Sequence, residues 1–91
     1  MDKLDDILRQ RASAYGDFKE NTEIVFYVLQ ILHKYDNYHH LPVYAKEGLH
    51  QILFKIARIV CGDFKKSRDS LIDIAGYAKL IIESMEKNND Q

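Results

Sequence analysis

Four charged residues late in the chain are spaced for chemistry. Lys55 and Arg58 stand three apart, Asp69 and Asp73 four apart, so on helices each pair shares a face. Facing each other, they make either an ion-pair layer that fixes helix register or a polar pocket for an anionic ligand. In the pocket, Lys55 and Arg58 supply positive charge and Tyr15 or Tyr77 a stacking ring. A second set is acidic. Glu20 and Glu23, three apart on an earlier helix, could face Asp69 and Asp73 as a four-acid cluster that offers Mg²⁺ the several oxygens it needs. The other candidates are thinner. His39 and His40 are adjacent, with no Cys or acid at a zinc-like spacing, and His33 and His50 are isolated. Cys61, the only cysteine, has no internal disulfide partner and ends a helix whose dipole opposes a thiolate. Lys65, Lys66 and Arg68 form a basic turn, either solvated or holding a phosphate beside the start of the last helix.

The elements that must position these groups are helices. Apolar residues recur with helical period throughout, and strand alternation is absent. The stretch Leu49–Met85 reads as two helices joined by a short turn, hence antiparallel neighbours. The first carries the stripe Leu49, Ile52, Leu53, Ile56, Ile59 and Val60, and ends at Cys61 with Gly62 in a left-handed position. The second carries Leu71, Ile74, Ala75, Ala78, Ile81, Ile82 and Met85, with Ser67 as cap and Asp69 in the first turn. The two stripes are expected to face each other.

Upstream, a short helix is expected over Asp2–Ala14, broken at Gly16, which takes positive φ without steric cost. Asp17 and Glu20 have the spacing of a capping box for a helix from Phe18 to Tyr35. Its segment IVFYVLQIL is apolar almost all round, so most of its sides should be covered. DNYHHL reads as a polar loop, and Pro42 as the first position of the helix that runs to Cys61. Gly48 and Gly76, within helices, signal close packing, and the tail from about 87 should fray. The sequence therefore predicts a single all-α domain over 1–91, like a four-helix bundle, with a long C-terminal antiparallel hairpin.

Ninety-one residues bury only about 60–65% of their unfolded surface. With 46% of residues hydrophobic, the apolar content exceeds what one small core encloses, which favours a homo-oligomer. Thirteen basic and 14 acidic residues leave a net charge of −1 and no field to hold nucleic acid. No apolar run approaches the roughly 20 residues of a membrane span. The opening MDKLDDILRQ carries acids and lacks a signal-peptide core, which points to the cytoplasm.

Two segments carry a family resemblance: YGDF at Tyr15–Phe18, and KIARIVCGD with DSLIDIAGYA between Lys55 and Ala78. They resemble a family of small uncharacterised helical proteins of phage and prophage genomes, over most of the chain from Ile7 to about Ile82. The resemblance implies a phage-linked cytosolic helical protein and brings no activity with it; the function expected is that of a non-enzymatic accessory protein, without cofactor, that binds a host protein or a small anionic ligand. Inhibition of a host defence system is the specific case expected by analogy. A looser likeness is to MazG-type all-α nucleotide pyrophosphohydrolases, which hold Mg²⁺ at a nucleoside triphosphate with an E-x-x-E pair and a later E-x-x-D pair. Glu20-x-x-Glu23 is similar to the first pair, and Asp73 to the second aspartate, with Ser70 where its glutamate would be. That likeness implies the alternative: Mg-dependent hydrolysis with Glu20, Glu23 and Asp73 as ligands.

Overall fold

A computed structural model describes residues 2–89. The fold is all-α: α1 (Asp2–Tyr15), α2 (Phe18–Leu32), α3 (Asp36–His40), α4 (Val43–Cys61) and α5 (Arg68–Asn89), with a 3₁₀ turn at Phe64–Lys66. Asp17 caps α2 as its spacing predicts, its side chain accepting from the Glu20 N–H at 3.2 Å. Two details differ from the sequence reading between α2 and α4. α2 stops at Leu32, where tighter bonds from the N–H groups of Lys34 and Tyr35 to Ile31 and Leu32 end it. DNYHHL then forms the short α3 instead of a loop. Its register is held by the His39 Nε2–H, which donates to the His33 carbonyl at 2.7 Å. The expected fraying does not reach residues 87–89, which continue α5; the rest of that tail lies outside the described residues.

α4 is the spine. α5 packs along one side of it and α2 along another. Gly48 and Lys55 face α5, whereas Leu53 and Ala57 pack with the α2 residues Val25, Ile24, Val28 and Leu29. At 3.6 residues per turn those two sides of α4 lie roughly 170° apart. The α4–α5 pair is the predicted antiparallel hairpin: Gly48 meets Ile81, and Lys55, further along α4, meets Asp73, further back along α5. The three long helices thus form an open layer. The molecule as a whole measures 52 × 27 × 26 Å, with a radius of gyration of 15.6 Å against about 12 Å for a compact domain of this length.

The predicted stripes face each other only in part, and this is the main correction: Ile81 meets α4 at Gly48, with Ile52, Ile59 and Ile74 half-buried, while Leu53 turns to α2 and the other large stripe residues of the hairpin turn outward. Leu49, Ile56 and Val60 of α4 and Leu71, Ile82 and Met85 of α5 are all exposed. The residues of α5 that bury at its start are Ser67 and Ser70, with Ile74, Tyr77 and Ile81 half-buried. The cause is helix proximity. A Cβ on Gly48 would sit 2.7 Å from Ile81 Cγ1 and Cδ1, so the hairpin selects small residues where its axes approach. Gly76, expected to pack closely as well, has nothing within 4 Å of where its Cβ would be.

The turn glycines also resolve. Gly16 has φ +80°, the only positive φ among the described residues. Gly62 does not take the left-handed conformation expected of it; its backbone is extended, at φ −103° and ψ −163°. It is needed for a close crossing: a Cβ there would lie 2.1 Å from the Ala14 carbonyl oxygen, and one on Gly16 2.2 Å from that of Cys61. The Asp63 N–H donates to the Ala14 carbonyl across this crossing at 3.2 Å. The end of α1 is thereby pinned to the end of α4. Ser67 does not act as the expected cap: its hydroxyl donates to the Phe64 carbonyl at 2.6 Å, closing the 3₁₀ turn.

Candidate functional site

The crossing of α1 and α4 creates the best-formed groove. It has a volume of about 430 Å³, and its walls include Arg11 and Tyr15 of α1, Phe18 and Asn21 of α2, and Phe54 and Arg58 of α4. The wall is mainly apolar, with two guanidinium groups set into it. The Arg58 guanidinium sits over the ring of Tyr15, 4.5 Å from its centroid, a cation–π contact that holds the two together. Asn21 is fixed as well. Its amide nitrogen donates to the carbonyls of Tyr15 at 2.8 Å and Asp17 at 2.9 Å. Because carbonyls only accept, the amide cannot be flipped. Its Oδ1 is then a buried acceptor without a partner among the described residues, a group that costs free energy until a donor meets it.

The candidates from sequence are therefore divided among several places. Tyr15 and Arg58 come together in this groove. Lys55 does not join them: its ammonium is 3.1 Å from the Asp73 carboxylate, with side chains 14% and 48% exposed. Asp69 sits in the first turn of α5, exposed, and makes no ion pair among the described residues. The expected four-charge layer is thus one pair, Lys55–Asp73, because Arg58 is turned some 60° around α4 from Lys55 and faces α1 instead. Tyr77 lines a separate recess of about 240 Å³ with Tyr44, Gln51 and Gly48.

The acidic trio does not converge. Asp73 is held by Lys55 on the hairpin side. Glu20 and Glu23 line an open groove of about 620 Å³ beside Tyr27, Val60 and Cys61, and Glu23 lies 4.0 Å from Lys19 of its own helix. No group of three or more His, Cys, Asp or Glu placed to hold a metal ion occurs among the described residues. Burial pushes the Cys61 thiol above its usual value, and the carboxylates of Glu20 and Asp17 push it the same way. That thiol is a poor nucleophile near neutral pH.

His33, His39 and Lys66 have structural partners. His33 Nδ1–H donates to the Leu29 carbonyl at 2.6 Å, and the rings of His33, Tyr38 and His39 pack with centroids 4.8–5.5 Å apart. Lys66 donates to the Ser13 hydroxyl at 2.6 Å and so staples the 3₁₀ turn to α1.

Sequence reasoning missed Arg11, Phe18, Asn21 and Phe54. Phe54 and Arg58, four apart, do mark one face of α4, and Arg11 and Tyr15 one face of α1. What joins the two faces is the Gly16–Gly62 crossing, a contact between residues far apart in sequence.

These features define a small all-α, bundle-like protein in which no helix among the described residues is long and apolar enough to cross a membrane. The chain belongs to the family described as Domain of unknown function (DUF6378), whose model matches residues 1–85. No curated protein and no solved structure matches it.

Proposed function

We propose that this protein is a non-enzymatic binding module that takes a planar, anionic small molecule in the groove between α1, α2 and α4. The observation that carries this reading is the Arg58 guanidinium held over the Tyr15 ring at 4.5 Å within a mainly apolar groove. A guanidinium held over an aromatic face offers in-plane donors to phosphate or carboxylate. Arg11 adds a second charge, and Phe18 and Phe54 offer flat surface. Nucleotide-like compounds combine these properties. On the likeness of its YGDF and KIARI…DIAGYA segments to phage and prophage proteins, the proposed setting is the host cytoplasm. There the module would sequester a small-molecule signal of a host defence system.

The test is thermal melting with a panel of nucleoside mono-, di- and triphosphates, with and without Mg²⁺. A binding compound at about 100 times its Kd stabilises the fold by about 2.7 kcal/mol, several degrees for a domain of this size. Arg58→Ala should abolish the shift. A shift that survives Arg58→Ala contradicts this site. Mg²⁺-dependent release of pyrophosphate, lost in Glu23→Gln, would put the hydrolase reading in its place.

A further inference from the structure

The α2–α4–α5 layer has two broad sides, and α1 covers only the one bearing Phe54 and Arg58. The opposite side is bare. Ile31 of α2, Leu49, Ile56 and Val60 of α4, and Leu71 and Ile82 of α5 are each 42–68% exposed. On α4, these three residues lie between the sides turned to α2 and to α5, by their helical spacing. On α5, Leu71, Ala75, Ala78, Ile82 and Met85 recur at alternating steps of four and three, the spacing of a helix-packing seam. That seam lies about 90° around α5 from the residues that meet α4, toward the same bare side. No Asp, Glu, Lys or Arg interrupts the seam or this side of α4.

We propose that this face is the interface of a homodimer in which two layers stack bare side to bare side. Area is the first argument for a second copy. The single chain exposes 7160 Å², where a compact monomer of 10.7 kDa exposes about 5,500 Å². The surplus, on the order of 1,600 Å², is about twice what one partner buries in a standard interface and suits an obligate dimer. Folding is the second. The single chain's core of Val25, Leu53 and Ala57 includes no large, fully buried side chain. A core this small leaves an isolated chain marginal, and the partner always present when the chain folds is another copy. Charge is the third. The α4 and α5 parts of the face carry no charged side chain and are self-complementary about a two-fold axis, Glu20 and Glu23 lie at its α2 edge beside Val60, and a net charge of −1 per chain adds little repulsion.

The test is light-scattering mass together with thermal melting at several chain concentrations, for the parent, Ile56→Glu and the control Phe26→Glu. Phe26 is more exposed than Ile56, at 57% against 42%, and lies on the other side of the layer by its position on α2. The expected result is twice 10.7 kDa for the parent, with a melting temperature that rises with concentration. Phe26→Glu should match it, and Ile56→Glu should weaken the dimer by at least on the order of 100-fold. Unfolding of Ile56→Glu alone also supports the interface, because a side chain 42% exposed in the single chain would tolerate Glu there. A folded parent of 10.7 kDa with a concentration-independent melting temperature overturns the proposal and leaves the face to a different protein. So does an Ile56→Glu dimer as tight as the parent.

Discussion

The two long sides of α4 are held by different physics. Toward α2, Leu53 and Ala57 meet Val25, Ile24, Val28 and Leu29, an apolar contact whose stabilisation follows buried area and has little directional preference. Toward α5, the contact is closer and more polar: Gly48 against Ile81, Lys55 paired with Asp73, and Ser67 and Ser70 buried at the start of α5. The ion pair is half-exposed on its acidic partner, so solvent screens it and it adds about 1 kcal/mol at most. What it does is set register, since sliding α5 by one turn would bring a different residue opposite Lys55 and drive Ile81 away from Gly48. The α2 side thus supplies hydrophobic stabilisation, and the α5 side fixes how the hairpin is aligned.

That contrast can be broken by truncation. Leu53→Ala, on the α2 side, removes a side chain 7% exposed from the core and should cost about 2–5 kcal/mol in denaturant melts. A loss under about 1 kcal/mol would mean that the α2 side is not where burial matters. The α5 side can be sharpened with its two glycines. Replacing an unconstrained helical glycine by alanine gains up to about 1 kcal/mol. Gly76→Ala, in open space, should show that gain, and Gly48→Ala should not, because its Cβ would push Ile81 aside. Equal gains at both positions would show that α4 and α5 do not approach at Gly48.

A smaller effect concerns pH. The Cys61 thiol lies above its usual value in the fold, so folding favours the neutral form. Its contribution is fully present below the unfolded thiol value and is lost as pH rises through the folded one. Stability should therefore decline over that alkaline window in the parent, and decline less in Cys61→Ala. Matching slopes in the two proteins would remove Cys61 from the account.

Much of this was legible in the sequence. Gly16-Asp17 marked the break and the cap because local chemistry dictates both. Gly48 and the Lys55–Asp73 pair marked the hairpin because helical spacing brings such residues to one face. Arg58 beside Tyr15 was one of the options read from the sequence, but its separation from Lys55 was not legible. Three residues from Lys55, it is far enough around α4 to leave the α5 side, and only the Gly16–Gly62 crossing gives it Tyr15. Nor did the stripes tell their own fate. Periodicity shows that Leu49, Ile56, Leu71 and Ile82 share faces, but not that small residues will take the hairpin contact and leave them outward.

The central claim is that α4 divides its cations, Lys55 to the hairpin and Arg58 to the groove. Double-mutant cycles with Asp73→Asn test it most directly, one with Lys55→Met and one with Arg58→Met. The account predicts a coupling of about 0.5–1 kcal/mol between Lys55 and Asp73, and none between Arg58 and Asp73 beyond the roughly 0.3–0.5 kcal/mol of non-additivity seen at independent sites. A coupling of Arg58 to Asp73 as large as that of Lys55 would contradict it.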